Sequence, residues 1–283
     1  MPWQILISIS IFFTSLLPVI QKAILREKID PLVFSVLFQF ITGLLALAYA
    51  GFSKTLVIPA AVNNLFLNLL FMAVLYGLGN YFVFQALKHT DASKFALYFS
   101  SRIFVTSAAS AYLLKGIMSS YQIFGSILIF LSIIILNYNR KLFKFKSEEL
   151  YSLLAAVCFG LAYTNDKFLL GYFDVRTYTS INFLLPAVFM CSLFIKNIYK
   201  GVQKINKIAY LKIIFLCFLC VISVLTFFDA LQKSSNSAQL VSISLFSVVL
   251  TVFLSIFMLK ETDGLFKKIT AALISFARLL LLN

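Results

Sequence analysis

Charge is scarce in this chain, and so is histidine. Of 283 residues only 12% are charged, 61% are hydrophobic, and the one imidazole is His89. A water-soluble domain of this length carries a surface richer in charged groups, so that class is excluded. With a single His and no P-loop, HExxH pair or Cys/His cluster, the groups an enzyme sets around its substrate have no signature in the sequence. Cys158, Cys191, Cys217 and Cys220 all lie inside apolar stretches, and the CxxC spacing of the last two has no second pair beside it. They read as small polarizable packing residues rather than a metal or redox site. No cofactor is expected.

What is abundant is the long apolar run. Runs of about 18 residues or more recur along the chain, each able to cross a bilayer core of roughly 30 Å as a helix. Bounded by charge, Pro or polar clusters, they fall near 3–25, 31–52, 65–87, 95–114 and 117–138, then 150–170, 176–195, 211–231, 238–259 and 265–282. The expected fold is an all-α integral membrane protein of ten transmembrane helices. The start, MPWQILISISIFF, lacks the basic region and cleavage site of a secretory signal and reads as the first span, with Trp3 at the interface. The net charge of +14 sits mostly in short connections, where Lys and Arg meet lipid headgroups, so nucleic acid is not an expected partner.

The chain repeats itself. ALKHTDAS at 86–93 falls on ALQKSSNS at 230–237 with a shift of 144, and the same shift lays Asp30 on Asp174 and Gln85 on Asp229. A shift of 145 pairs Lys22 with Lys167 and Lys115 with Lys260. Two halves follow, 1–138 and 150–283, joined by the basic linker 139–149. Five crossings per half is odd, so the second half enters the membrane from the opposite side. These are two inverted five-helix repeats, the plan of many secondary transporters.

With ten spans in two halves, an AL plus short polar hinge closing the third and eighth spans, and LKET at Leu259 to Thr262, the chain resembles the drug/metabolite transporter superfamily. Within it the likeness is to the EamA-domain family of ten-helix type. Glu261 stands at the place of that family's end-of-helix glutamate; the first half has Gly116 there, and the last span lacks the family's usual glycines. The resemblance implies a secondary transporter of a small organic metabolite, such as an amino acid, a nucleotide-like metabolite or a drug. It implies a pathway enclosed by spans one to four and six to nine. A membrane-embedded transferase and a non-transporting scaffold are the alternatives from other classes.

Polar side chains inside the spans nominate the site. An ionisable group there costs several kcal/mol by insertion scales, about 2.5–3.5 at a helix centre, and so faces a cavity, a partner or the interface. Arg102 lies deep in the fourth span and offers five donors in a fork suited to a carboxylate, with Tyr98 one turn back; a structural ion pair or a headgroup contact is the plainer alternative. Gln39, Asn80, Gln85, Tyr163, Asn165 and Asn182 are further candidates for the substrate pathway. Lys22, Lys167 and Asp229 are candidates for gating or coupling, with an Asp229–Lys167 ion pair as one pole of a gate and Asp229 as a proton carrier. The plainer reading makes them interfacial anchors. Lys88, His89 and Asp91 read as solvated hinge residues. Coupling by protons or by exchange is open, as is a monomer or a homodimer, and the expected location is a bacterial-type inner membrane.

The connections after odd-numbered spans, taken with the first residues of the spans that follow them, hold sixteen Lys and Arg against four after even-numbered spans. The positive-inside rule then puts both termini outside the cytoplasm, whereas the resemblance implies both inside. A C-terminal green fluorescent protein fusion separates the two: dark for an exported terminus, bright for a cytoplasmic one.

Overall fold

The computed structural model describes residues 2–27, 29–57, 59–113, 147–234, 240 and 243–277. All regular structure among them is helical. In chain order the helices are α1 (Trp3–Leu25), α2 (Pro31–Phe52), α3 (Phe66–His89), α4 (Ala92–Phe99), α5 (Arg102–Leu113), α6 (Ser147–Leu169), α7 (Val175–Val202), α8 (Lys207–Lys233), α9 (Phe246–Leu259) and α10 (Leu265–Ala277), with a 3₁₀ turn at Ala60–Leu65 before α3. Among the described residues five stretches are long and apolar enough to cross a membrane: α1, α2, Val62–His89, α7 and α8. The fifth span, Lys115, Gly116 and most of the basic linker lie outside the described residues. The linker's last three residues, 147–149, are already helix, and Glu148 and Glu149 suit the positive end of α6.

The repeat is visible in how the helices start. Asp30 caps α2 by accepting from the amides of Leu32 at 2.9 Å and Val33 at 3.2 Å, with Pro31 in the first turn, where its missing N–H costs nothing. Asp174, its counterpart, caps α7 by accepting from the Arg176 amide at 2.9 Å.

Packing repeats too. α2 lies against α7, and each other main helix pair has a counterpart in the opposite half: α1–α8 with α3–α6, α1–α9 with α5–α6, and α2–α8 with α3–α7. Exchanging the halves leaves this pattern unchanged, so the two halves are interleaved rather than side by side. Small residues permit the closest approaches. A Cβ on Gly43 would stand 2.7 Å from Leu184, and one on Gly160 would stand 2.7 Å from the Arg102 carbonyl oxygen.

The fourth span differs from its expected continuous helix over 95–114. It breaks at Ser100 and Ser101, where the hydroxyls donate to the carbonyls of Leu97 at 2.6 Å and Tyr98 at 2.7 Å. Around them the amides of Ser101, Ile103 and Phe104 bond three residues back instead of four. Serine hydroxyls compete for helix carbonyls, and the tighter turn is the result. α5 therefore begins on Arg102.

Candidate functional site

A cavity of about 180 Å³ lies between the halves. Side chains from α1 to α4 and α6 to α9, together with Arg102 at the start of α5, form its wall. Most of that wall is apolar, with aromatic rings from both halves, among them Phe38, Phe99, Phe159 and Phe183.

Arg102 reaches the cavity from the break in the fourth span and is 9% exposed. Its guanidinium carbon lies 4.2 Å from the centre of the Phe99 ring and 5.8 Å from that of Tyr163. The aromatic faces offset part of the cost of burying the cation. The ion pairs formed among the described residues lie elsewhere, so the fork has no carboxylate on it. A structural ion pair is thereby set aside as the reason for Arg102.

Other polar groups ring the same space. Asn80, Tyr163 and Asn182 line it as expected. Ser10, Thr14 and Ser223, which sequence reading passed over, line it as well and lock α1 to α8. Ser10 Oγ donates to the Ser223 carbonyl at 2.9 Å, and the hydroxyls of Thr14 and Ser223 are 2.6 Å apart. Their signal in α1 was a Ser and a Thr four residues apart, the spacing of one helix face.

The remaining candidates are placed away from the cavity. Tyr98 is 1% exposed and packs with Ile103, Val248 and Ala271. Gln39 turns back on its own helix, donating to the Ser35 carbonyl at 3.1 Å and Oγ at 3.0 Å. Gln85 donates to the Tyr81 hydroxyl at 2.9 Å, and Asn165 is paired with Asn68 through bonds of 2.7 and 2.9 Å. Lys167 is exposed and Asp229 half-buried, and no ion pair joins them. Tyr163 and Asp166 occupy the inward side of α6 at this height, and Lys167, about 100° further round the helix, points outward.

Asp166, between the candidates Asn165 and Lys167, is the acid that turns inward. It is 0% exposed, and its two oxygens accept 2.5 Å hydrogen bonds from the hydroxyls of Tyr76 and Tyr178. Asn165, Asp166 and Lys167 look alike as a polar triplet; successive residues on a helix point in different directions, and only packing chose the middle one.

A second cluster closes one end of the bundle. The carboxylate of Glu261 accepts from the amides of Ala92 at 2.8 Å and Ser93 at 3.1 Å and from the Ser93 hydroxyl at 2.7 Å, so it caps α4 across the two halves. Lys268, 0% exposed, binds Asp91 at 3.0 Å and the Glu261 carbonyl at 3.1 Å. Lys94 adds a second contact to Asp91 at 3.1 Å. Burial would raise the Asp91 carboxyl, but the hydrogen bonds and charges of Lys268 and Lys94 outweigh it and hold the group below its usual value. Lys22 donates to the Lys88 carbonyl at 3.2 Å, and Lys88 in turn to the Ile29 carbonyl at 3.1 Å. Asp91 and Lys88 are thus structural members of this end, not free hinge residues, and Lys22 is a helix-end cap that does not line the cavity, although its neighbour Gln21 does. The connections after spans one, three, seven and nine meet here, where Lys212 also pairs with Glu27.

Fold and cavity define a class: an all-α, multi-pass membrane protein whose two halves interleave around a central chamber. The EamA-like transporter family model matches residues 1–138 and again 146–283. The chain belongs to that family, in its two-repeat form. A solved structure entitled "Crystal structure of protein" shares the fold, with a TM-score of 0.67 at 15% identity over 99% of this chain and 98% of that one. No curated protein matches by sequence. Proteins of this family are generally transporters rather than enzymes.

Proposed function

We propose that this protein is a secondary active transporter that moves a small organic metabolite across a bacterial-type inner membrane by alternating access. In this reading the two interleaved halves expose the central cavity to either side in turn. The observation that carries the proposal is Arg102, a buried cation without an acidic partner, placed in the wall of a cavity built from both halves. A buried charge is costly until paired, so an anionic group on the substrate is the natural complement to the fork. Asn80, Tyr163 and Asn182 supply further donors and acceptors. Asp229, half-buried near the end of α8, retains the role of proton-coupling candidate.

The test is uptake into liposomes containing the purified protein, with and without a pH gradient. Arg102→Ala, once shown to be folded and inserted, is expected to lose most of its transport, and normal transport would remove Arg102 from the site. Asp229→Asn is expected to change the pH dependence; an unchanged profile would end its coupling role.

A further inference from the structure

The wall of the cavity carries a charge imbalance that narrows the substrate. All ten acidic residues of the chain are at described positions, and none of them lines the cavity. Among the described residues Arg102 is the cation that does. Asp166 stands behind the wall, with both oxygens taken by the hydroxyls of Tyr76 and Tyr178. An ammonium group entering this space would shed its water and find no carboxylate, a large penalty in a medium of low dielectric. A second negative charge would likewise lack a partner once the first had taken the guanidinium.

We infer that the substrate is a monoanionic organic acid with a compact apolar body, and that zwitterions, amines and polyanions are rejected. This rests on the transporter reading for the identity of the cavity as the substrate site. The body is argued from the lining. Phe99 and Tyr163 flank the guanidinium, while Phe38, Phe159 and Phe183 form much of the remaining wall. At about 180 Å³ the space suits a single ring; an apolar cavity of roughly 150 Å³ in another protein takes up benzene. Hydroxyls at Ser10, Thr14 and Ser223 are already engaged with the α1–α8 backbone or with each other, and so offer little to a second charged group.

The probes share one body and differ in charge: 3-phenylpropionate, phenylalanine, phenethylamine and phenyl phosphate. Binding is read as thermal stabilisation of the detergent-solubilised protein, and movement as counterflow in liposomes. The expected result is stabilisation by 3-phenylpropionate at concentrations at least about tenfold lower than for the other three, the scale of one charge-assisted hydrogen bond. Arg102→Gln should abolish that preference, and Arg102→Lys should retain part of it. Equal or tighter binding of phenylalanine, or no stabilisation by 3-phenylpropionate, overturns the inference. If Arg102→Gln does not fold, the ranking of the four probes on the unaltered protein still decides. Stabilisation by 3-phenylpropionate without counterflow leaves the site's chemistry standing and counts against transport. Counterflow of phenylalanine in preference to the acid does the reverse.

Discussion

Asp91 and Glu261 hold one end of the bundle by different means, and single substitutions separate them. Asp91 is bound by Lys268 and Lys94, and its carboxyl is held below the usual value near 3.8. A group lowered in this way contributes stability that is complete above its unfolded value and fades as pH falls through the folded one. Asp91→Asn should therefore melt below the parent at neutral pH, with the gap closing at pH below about 4; melting curves across pH read this, and a gap independent of pH would contradict it. Glu261 accepts three hydrogen bonds at the start of α4. Glutamine offers one carbonyl oxygen and turns an amide donor toward donors, so Glu261→Gln should cost about 1–3 kcal/mol of stability, the scale of leaving a buried donor unmet. Thermal or denaturant unfolding in detergent measures it.

At the scale of helices, the break between α4 and α5 decides where the cation sits. Had the fourth span continued as one regular helix, Arg102 would have been set by that helix's register, without the tightened turn around Ser100 and Ser101 that opens α5. Gly160 on α6 holds this corner close, because a Cβ there would lie 2.6 Å from Val105 and 2.7 Å from the Arg102 carbonyl oxygen. The second contact is backbone and cannot rotate away. Gly160→Ala should push α5 off α6, lower stability by about 1–3 kcal/mol as overpacking does, and weaken binding of an anionic probe. A variant that melts and binds like the parent would show that the corner yields. The paired caps make a cleaner comparison: Asp30→Ala and Asp174→Ala should each cost about 1 kcal/mol, since both aspartates serve the same helix start in the two halves.

For the whole molecule, the clustering of charge at one end bears on which way it faces. Lys22, Asp91, Lys212, Glu261 and Lys268 share one end, as alternate crossing requires of the odd connections. By the positive-inside rule the charge count predicts that this end is cytoplasmic. Single cysteines at Lys204, on this end, and at Lys54, in the connection after the second span, then differ toward an impermeant maleimide in intact cells: Lys54→Cys should label and Lys204→Cys should not. These tests use a background with the four native cysteines replaced, and reversed labelling would favour the orientation that the family resemblance implies.

Composition and repetition determined much of this protein. Scarce charge and long apolar runs require a membrane interior as solvent, and an odd-numbered span count per half requires inversion, because each crossing reverses the chain. The spans 3–25 and 31–52 were legible to the residue for the same reason: Pro2, Asp30 and Pro31 mark their starts in local chemistry. Span ends richer in lysine were less legible, and α7 and α8 run beyond their apolar cores to Val202 and from Lys207. Arg102, Asn80, Tyr163 and Asn182, which the structure places in the cavity wall, stood out in the sequence because polar groups deep in apolar helices need a reason. Which polar group turns inward was decided by tertiary structure alone. Asp166 rather than Lys167, and Asp91 engaged rather than solvated, depend on partners 90 and 177 residues away along the chain, Tyr76 and Lys268. Local sequence carries helix starts and hydropathy; the direction of a side chain on a helix surrounded by apolar residues is set by what packs against it.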